Sequence, residues 1–321
     1  MSVSTGLTGP ERVVAAILRD GAGRILVARR PFGKPGGGLW EFPGGKLLAG
    51  ESEDHALRRE LAEELGIAVG GCRHLPHFRT TPPAHLQLSF WEVEDYQGRP
   101  HGCEGQEIRW CLPDELTALA FLPADGPILP RLRLPEIYLV SDVDGVGAEA
   151  FESRLQAMAA RAPCLVQLRE RWPAARLCAY AQHLRALLRP YGGRCLINGD
   201  PAALASCADG MHLSAARLLQ TPARPLPAEA LLGASCHDAA ELHHAARIGC
   251  DFAVLSPVAA TPSHPNAAPL GWERFAELAA AVPIPVYALG GMRLEDRRMA
   301  QERFAQGVAL RSALGALSAR P

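Results

Sequence analysis

Three glutamates lie close together in the first third of the chain: Glu60, Glu63 and Glu64. Residues at i, i+3 and i+4 share one face of a helix, where like charges repel by roughly 0.2–0.5 kcal/mol per pair. Such a face is often simply solvated. A divalent cation would also relieve the repulsion, because Mg²⁺ and Mn²⁺ prefer carboxylate oxygens as ligands. The glutamates are therefore either a solvated acidic face or a metal site.

The surrounding sequence predicts the helix that must carry these glutamates. Ser52 is a favourable N-cap for a helix from about Glu53 to Leu65, and Gly66 is placed to end it. Leucines recur every four residues within this span and predict its buried stripe. Strands are predicted at residues 13–18, 25–28 and 86–93, which makes this a mixed α/β domain.

A longer pattern includes the three glutamates. From Gly45 the chain reads G-x5-E-x7-R-E-U-x-E-E-x-G-U, where U is aliphatic, and every fixed position is filled. This pattern resembles the signature of the Nudix hydrolases, which cleave a nucleoside diphosphate linked to another group with Mg²⁺ or Mn²⁺. The resemblance favours a metal site over a solvated face. It implies that Glu60, Glu63, Glu64 and the Gly44 carbonyl bind the ion, that Arg59 holds Glu60 by a salt bridge, and that Glu51 completes the network.

Three further stretches resemble the MutT type of Nudix hydrolase, which converts 8-oxo-dGTP to 8-oxo-dGMP and pyrophosphate. They are residues 39–46, 104–107 and 122–128. The resemblance implies that Phe42 in the first stretch contacts the substrate, and that Glu104 in the second binds metal or serves as base. Asp125, the fourth residue of the third stretch, would read the oxidised purine. Arg30, at the end of the second strand, would contact the nucleotide.

Asp125 departs from that family, in which this position usually carries Asn. An ionised carboxylate accepts hydrogen bonds from purine N–H groups but cannot donate one back, so base selectivity stays open. The alternative role for Asp125 is a loop or cap residue, and for Glu104 a solvated loop carboxylate. A second departure is Pro82-Pro83-Ala84, where the family often has an arginine just before the strand expected to start at His85.

The C-terminal part of the chain has a different pattern. After a boundary predicted at residues 129–135, short apolar runs alternate with helical or loop segments. The runs are 137–140, 164–168, 195–197, 210–213, 232–235, 252–255, 285–289 and 308–310. They predict a (β/α)₈ TIM barrel, although an open doubly wound sheet would also alternate. We therefore expect two α/β domains: a Nudix α/β/α sandwich with a mixed sheet at 1–132, and the barrel at 135–321.

Five segments of the second domain resemble the thiamine-phosphate synthase and thiazole tautomerase barrels, over about residues 136–315. They are residues 167–169, 196–198, 233–237, 288–292 and 307–309. All five fall at C-terminal ends of predicted strands, where barrel active sites collect. The resemblance implies ligand contacts from Gln167, Arg169 and Asn198, and a phosphate cradle at Gly290 and Gly291. It implies an acid–base role for His237, for which inherited scaffold is the alternative.

The catalytic equipment that this resemblance requires is incomplete. Arg171 replaces the lysine expected two residues after Arg169, and the domain contains no lysine. Gly199 and Arg217 stand where two magnesium-binding carboxylates are expected, with Asp200 as the nearest replacement. Without Mg²⁺ a synthase loses its main electrostatic help for a pyrophosphate leaving group. We therefore expect a tautomerase-like or degenerate barrel.

Composition limits the remaining classes of function. The 321 residues include 33 Lys and Arg against 34 Asp and Glu, for a net charge of −1, so stable nucleic-acid binding is not expected. No apolar run reaches the roughly 18–20 residues that span a bilayer, and residues 1–10 lack the pattern of a secretory signal. The nine cysteines include no C-x-x-C pair. That arrangement predicts a reduced, cytoplasmic chain with neither a disulfide framework nor a zinc ribbon.

Three whole-chain hypotheses follow. The first is a diphosphatase that removes oxidised nucleotides such as 8-oxo-dGTP, with Mg²⁺ or Mn²⁺ as cofactor, and so protects DNA replication. The second is hydrolysis of a thiamine-pathway diphosphate, with an active synthase or tautomerase barrel. The third treats the barrel as a phosphate-binding or scaffolding module only. Neither the natural substrate nor the oligomeric state follows from the sequence.

Overall fold

The computed structural model describes residues 10–78, 86–261 and 268–311. The chain divides into two units, Met1–Arg133 and Leu134–Pro321. The strand start expected at His85 and the departure at residues 82–84 lie outside the described residues. No helix in the described ranges is long and apolar enough to cross a lipid bilayer.

The N-terminal unit is built from short strands around one long helix. Its strands are β1 (Glu11–Leu18), β2 (Ile25–Arg29), β3 (Trp40–Glu41), β4 (Gly44–Lys46), β5 (Ala68–Val69), β6 (Cys72–His74), β7 (Leu86–Val93), β8 (Tyr96–Gln97) and β9 (Ile108–Cys111). Its helices are α1 (Glu53–Leu65) and the single turn α2 (Leu129–Leu132). Helix α1 and the three strands predicted from the sequence lie where they are expected.

Strands β4, β1, β7 and β6 form the mixed sheet expected for this domain, with β1 parallel to β7 and antiparallel to β4. A second, antiparallel sheet contains β3, β2 and β9, and β5 pairs with β8. Both faces of β1 are buried. Val14 and Ala16 share an apolar cluster with the leucines of α1, whereas Ala15 and Ile17 pack in a second cluster with Phe90. Helix α1 thus covers one face of the sheet.

Helix α1 is fixed at both ends. The His55 N–H donates to Ser52 Oγ over 3.3 Å, as the predicted N-cap requires. Gly66 ends the helix with φ +66°, a conformation that side-chain-bearing residues rarely adopt, and its N–H donates to the Ala62 carbonyl at 3.1 Å. The leucines of the predicted stripe are fully buried. The glutamates therefore lie on faces of α1 that are turned away from the core.

The C-terminal unit is a closed barrel of parallel strands with helices between them. The strands are β10 (Ile137–Val140), β11 (Leu165–Leu168), β12 (Arg194–Asn198), β13 (Gly210–Leu213), β14 (Leu231–Cys236), β15 (Phe252–Leu255), β16 (Val286–Ala288) and β17 (Gly307–Leu310). The helices are α3 (Val143–Val146), α4 (Ala148–Ala159), α5 (Ala174–Leu188), α6 (Pro201–Leu204), α7 (Ala215–Gln220), α8 (Ala239–Arg247), α9 (Gly271–Ala280) and α10 (Arg297–Glu302). Strand β17 pairs with β10, so the barrel is confirmed and the open sheet is excluded.

Alternate residues of the barrel strands face opposite sides. Tyr138 belongs to an apolar cluster with Phe252 and Tyr287. Its neighbour Leu139 belongs to a larger cluster that includes helical residues such as Phe151. The first cluster fills the barrel and the second lies between strands and helices, the two-layer core expected of this fold.

Two of the nine cysteines are joined. Cys178 in α5 and Cys207, just after α6, form a disulfide across 29 residues of sequence, and the other seven cysteines are free. The expectation of a fully reduced chain is wrong for this pair. No spacing pattern marks the two residues, because only the packing of α5 against the segment that follows β12 brings them together.

Replacing Ser52 with Ala removes the N-cap acceptor of α1. We expect the helix to lose about 1 kcal/mol of stability, which corresponds to roughly fivefold more frequent opening. Hydrogen–deuterium exchange of peptides from α1 measures this, with barrel peptides as the internal reference. Ser52→Asp keeps a capping oxygen and should exchange like the wild type. Equal exchange in Ser52→Ala and wild type would show that the cap does not hold the helix.

Candidate active site

Two glycines before α1 bring the backbone of β4 onto the carboxylates of the helix. The Gly44 N–H donates to Glu64 Oε2 over 3.1 Å. A Cβ atom on Gly45 would lie 2.3 Å from the carboxyl carbon of Glu60, and one on Gly44 would lie 2.1 Å from the Val14 carbonyl oxygen. Only glycine fits at position 44, where the obstacle is backbone, whereas a side chain at position 45 would displace the Glu60 carboxylate from the site.

Arg59 joins several acidic side chains into one network. Its guanidinium donates to Glu60 at 2.8 Å and to Glu63 at 3.3 Å. It also donates to Glu51 over 3.0 and 2.9 Å, and to the Lys46 carbonyl over 3.0 Å. The bonds from Arg59, with one from a backbone N–H, lower the pKa of Glu51 to about 2. Arg59 therefore bridges Glu51 and Glu60, the arrangement that the sequence pattern implies.

Glu64 is a partly buried carboxylate among other carboxylates. Burial raises its pKa to about 7, and the charges of Glu41, Glu60 and Glu104 raise it further, against the Gly44 N–H, which lowers it. A buried carboxylate without a cation is electrostatically costly. The cluster thus carries an excess of negative charge that a divalent cation would neutralise.

The donor set of this cluster fits a hard cation such as Mg²⁺, because it offers carboxylate oxygens. Among the described residues, however, no three carboxylate, imidazole or thiol groups already surround a common point that would hold an ion. Glu60 is engaged by Arg59 and Glu64 by Gly44. The Glu63 and Glu104 side chains are 59% and 47% exposed and have room to turn. Metal binding would therefore require these side chains to rearrange.

Gln106 fixes the loop that carries Glu104. Its side-chain amide accepts from the Glu104 N–H over 2.8 Å and donates to the Glu64 carbonyl over 2.9 Å. The Lys34 ammonium donates to Glu104 Oε2 over 2.9 Å. Sequence reasoning missed Lys34 and Gln106. The available signal for Lys34 was its rarity, since Lys34 and Lys46 are the only lysines in the sequence.

Asp125 is 4% exposed and precedes the short 3-10 turn Gly126–Ile128. Burial raises the pKa of its carboxyl to about 7; the Glu41 charge raises it further, while the Phe42 N–H, which donates to Asp125, and the Arg30 charge lower it. A carboxyl group with this pKa is about half protonated at neutral pH. In its neutral form Asp125 both donates and accepts a hydrogen bond, which an ionised carboxylate cannot do.

Phe42 and Arg30 are less accessible than the resemblance implies. The Phe42 ring is 3% exposed and packs with its centroid 5.2 Å from that of Phe121, so its side chain belongs to the core and its backbone N–H to the site. Arg30 donates to Glu41 over 2.6 Å and to the Pro35 carbonyl over 2.7 Å. A nucleotide contact from Arg30 would compete with Glu41, a residue that sequence reasoning missed.

A cavity of about 640 Å³ opens at the C-terminal ends of the first barrel strands. Its charged lining consists of three arginines and three carboxylates: Arg169, Arg171, Arg311, Asp142, Asp144 and Glu170. Asn198 also lines it, so the structure brings Arg169 and Asn198 together as the sequence predicts. Gln167 is buried at 3% exposure in β11 and does not line the cavity.

The three other predicted barrel residues do not line this cavity. Gly290 and Gly291 have φ values of +101° and +69°. A Cβ atom on Gly290 would lie 2.8 Å from Pro257, and one on Gly291 would lie 2.9 Å from Ala259, so both positions need glycine. His237 lies with Nδ1 2.8 Å from the Ser256 carbonyl oxygen, which places the proton on Nδ1.

The magnesium site that a thiamine-phosphate synthase would need is not formed in the described residues. Gly199 offers no side-chain ligand, and Arg217 Nη1 lies 3.9 Å from Asp200 Oδ1. Asp200 therefore faces a guanidinium rather than a vacant coordination position. These residues do not fit Mg²⁺, and no magnesium chemistry is assigned to the barrel.

His212 is a buried polar residue of β13 that sequence reasoning missed. Its Nδ1 lies 2.8 Å from Tyr138 Oη, and its Nε2 lies 2.9 Å from Ser235 Oγ. Burial lowers its pKa to about 3, with a smaller effect from the Arg169 charge. The neutral ring donates at one nitrogen and accepts at the other, which fixes the orientation of Ser235. The sequence signal that could have indicated His212 is a single histidine inside the apolar run at residues 210–213.

Comparison with known proteins separates the chain into the same two parts. Residues 9–132 match the NUDIX domain family, and residues 137–314 match the family described as Thiamine monophosphate synthase. The second match covers more than half of the 321 residues.

Individual relatives match one part of the chain each. A CTP pyrophosphohydrolase of Escherichia coli (strain K12) is 44% identical over 119 residues, which are 36% of this chain and 87% of that protein. An 8-oxo-dGTP diphosphatase of the same strain is 35% identical over 126 residues, 38% of this chain and 95% of that protein. A thiamine-phosphate synthase of Syntrophomonas wolfei is 34% identical over 182 residues, 56% of this chain and 87% of that protein. Together with the site geometry, these matches show that the chain belongs to the Nudix hydrolases through its N-terminal domain and to the thiamine monophosphate synthase family through its barrel.

Proposed function

We propose that the N-terminal domain is a divalent-metal-dependent pyrophosphohydrolase that converts nucleoside triphosphates to monophosphates and pyrophosphate, with 8-oxo-dGTP as the leading substrate. The observation that carries this proposal is the partly buried Glu64 carboxylate, which accepts from the Gly44 N–H, beside Glu60, which Arg59 holds. The carboxylates of this cluster outnumber its cations, and a metal-bound triphosphate is a ligand that would bring a further cation.

The residues of the cluster have distinct roles in this reaction. When bound by the three helix glutamates, Mg²⁺ would neutralise phosphate charge and polarise the bond that breaks. Arg59 keeps Glu60 in position over 2.8 Å, and the Gly44 N–H orients Glu64 over 3.1 Å. Glu104, on the loop that Gln106 ties to α1, is the carboxylate assigned to accept the proton of the attacking water, or to bind metal.

Asp125 supports 8-oxoguanine as the base through its buried carboxyl. 8-Oxoguanine presents O6 as an acceptor beside N7–H as a donor, whereas guanine presents acceptors at both positions. A neutral Asp125 donates to O6 and accepts from N7–H, as Asn would. With guanine, the accepting oxygen of Asp125 would instead face N7, which is also an acceptor. The raised pKa of Asp125 thus supplies the donor that an ionised carboxylate lacks.

Cytidine triphosphate is a second candidate substrate. A CTP pyrophosphohydrolase is the 44% identical relative, and a neutral Asp125 also complements cytosine, which presents the N3 acceptor beside the N4 amino donor. Hydrolysis of 8-oxo-dGTP, dGTP, CTP, ADP-ribose and thiamine diphosphate with Mg²⁺ separates the candidates. Preference for thiamine diphosphate would replace both nucleotides with the thiamine-pathway hypothesis.

For the barrel we propose binding of a phosphorylated small molecule without Mg²⁺. Three arginines line its cavity, and an arginine stands beside Asp200 where the family resemblance implies a metal carboxylate. Arginine binds phosphate through paired N–H donors and needs no metal to do so. The tautomerase-like activity expected for His237 and a purely structural barrel remain the alternatives.

Replacing Glu60 or Glu64 with Gln should lower Mg²⁺-dependent hydrolysis at least about 10²-fold and leave the fold intact, because a metal ligand is lost. Steady-state kinetics and circular dichroism measure the two effects. Glu53→Gln is the matched control on the same helix, since the Glu53 carboxylate bonds Arg12 instead. Near-normal turnover in both site variants would overturn the assignment of the glutamates.

Asp125 should set base preference more than rate, by roughly 1–3 kcal/mol. Its pKa is raised to about 7, so the neutral form is present below that pH and lost above it. The kcat/KM of the wild type for 8-oxo-dGTP should therefore fall relative to that of Asp125→Asn as pH rises through about 7, because the donor to O6 is lost. The comparison with Asp125→Asn cancels titration around the phosphates, which both proteins share.

Two variants control this experiment. Asp125→Asn keeps a donor and an acceptor at every pH and should give a flat profile with high preference. Asp125→Ala should lower the preference at every pH. A wild-type kcat/KM for 8-oxo-dGTP that does not fall relative to Asp125→Asn as pH rises, or a base preference that survives in Asp125→Ala, would show that Asp125 does not read the base.

The barrel should make no thiamine phosphate from the pyrimidine diphosphate, thiazole phosphate and Mg²⁺, yet should bind thiazole phosphate. Gly199 and Arg217 leave it without metal carboxylates, and the cavity arginines remain for the phosphate. Product formation and calorimetric binding measure the two parts. Efficient synthesis would contradict the degenerate barrel, and the absence of both would favour a structural one.

A further inference from the structure

We propose that Lys34 is a phosphate-binding residue of the N-terminal site, whose ammonium leaves Glu104 for the phosphate chain of the substrate when a divalent cation and nucleotide bind. The inference rests on the proposed function of this site. It adds a specific role for the loop between β2 and β3, residues 30–39.

The position of Lys34 is the first support. Its Nζ lies 2.9 Å from Glu104 Oε2, and the Glu104 charge in turn acts on the partly buried Glu64. The ammonium therefore already lies at the border of the acidic cluster. If a metal ion joins these carboxylates to substrate phosphates, the phosphate oxygens must come to this same border.

The other cations around the cluster are engaged more fully. Arg59 donates to three glutamates and to the Lys46 carbonyl. Arg30 donates to Glu41 and the Pro35 carbonyl, and Arg29 donates to Glu107 and the Gly38 carbonyl. In the described part of the chain, the Lys34 ammonium makes one hydrogen bond, although it carries three donors. It is thus the cation here with the most capacity for a new anionic partner.

The bond between Lys34 and Glu104 is of a kind that exchanges readily. Their side chains are 51% and 47% exposed, and ion pairs between exposed groups are weak. A doubly charged hard cation competes strongly with an ammonium for a carboxylate. Once Glu104 turns to the metal, the released ammonium has phosphate oxygens as its nearest strong acceptors.

The loop holds the Lys34 backbone near the site while its side chain turns. The Gly38 N–H donates to the Arg30 carbonyl over 2.8 Å, which closes the base of the loop. Within the loop, the Lys34 N–H donates to the Pro31 carbonyl at 3.0 Å, and the Gly37 N–H donates to the Lys34 carbonyl at 2.9 Å. Exchange of partners therefore needs rotation of one long side chain and no refolding of the loop.

The scarcity of lysine allows a direct test that does not depend on turnover. Lys34 and Lys46 are the only lysines in the sequence. Lys46 lies on β4, and its Nζ lies 2.7 Å from Glu11 Oε1. Acetylation with an amine-specific reagent, read by mass spectrometry, gives the reactivity of Lys34 with Lys46 as internal reference. Mn²⁺ alone should raise Lys34 acetylation about threefold, because the weak ion pair opens. The α,β-methylene analogues of dGTP and dCTP, added with Mn²⁺, should lower it below the metal-free level.

Kinetics supply the second arm. Lys34→Gln should raise KM for the nucleotide about tenfold with kcat within about twofold, the loss of one charge-assisted phosphate contact. Lys34→Arg should restore most of the affinity. Arg24→Gln is the matched control: Arg24 is 48% exposed, pairs with Asp20 in the β1–β2 turn, and loses the same charge. Its KM should equal that of the wild type.

The two arms separate failure of this inference from failure of the proposed function. Turnover of nucleotides without protection of Lys34, or an unchanged KM in Lys34→Gln, would show that Lys34 does not bind the phosphate chain. The proposed hydrolase activity would stand. Protection of Lys34 by the analogues without turnover of any triphosphate would keep the binding role and overturn the hydrolase. If KM rose equally in Arg24→Gln, the loss of any positive charge would explain the effect, and the inference would be overturned.

Discussion

Partial burial of the Glu64 carboxylate beside other carboxylates is the constraint on which the N-terminal site depends. The residues around Glu64 must offset the free-energy cost of placing this charge away from water. The Gly44 N–H bonds one oxygen of Glu64, and Arg59 neutralises Glu60 and Glu51 nearby. The Gly44 N–H and the single positive charge of Arg59 do not balance the negative charge of the surrounding glutamates. The site can therefore accept a cation from outside the chain.

Close approach of backbone to carboxylate explains why the site is built from glycines and a rigid helix. A Cβ atom on Gly45 would meet the Glu60 carboxylate of the helix, and one on Gly44 would meet the backbone of Val14 in β1. Buried leucines hold α1 against the sheet, and Ser52 and Gly66 fix where it begins and ends. A helix fixed in this way keeps the glutamates at one distance from β4, while the more exposed Glu63 and Glu104 are left to adjust.

The two domains hold charged side chains in different arrangements. The N-terminal site gathers carboxylates and would need a cation to hold a phosphate. The barrel cavity gathers Arg169, Arg171 and Arg311, and burial together with the charges of the other two arginines lowers the pKa of Arg169. The same cavity also holds three carboxylates, and Arg311 Nη2 lies 3.6 Å from Asp142 Oδ1. The barrel cavity therefore balances its cations with its own side chains, whereas the N-terminal cluster has more carboxylates than cations.

The sequence by itself determined the parts of this protein that depend on local spacing. Helix α1, its caps and the shared face of its glutamates follow from positions a few residues apart, because a helix repeats over that distance. The apolar runs of the barrel follow in the same way, since each strand buries its own short segment. These features needed no knowledge of distant contacts.

The tertiary structure decided everything that depends on residues far apart in the chain. Pairing of β10 with β17 closed the barrel, and the packing of α5 joined Cys178 to Cys207. Burial raised the pKa of the Asp125 carboxyl to about 7, which the sequence could not indicate. The contact of Lys34 with Glu104 joins loops 70 residues apart. Burial and long-range contacts have no local signature, because they arise only when the whole fold excludes water and brings these segments together.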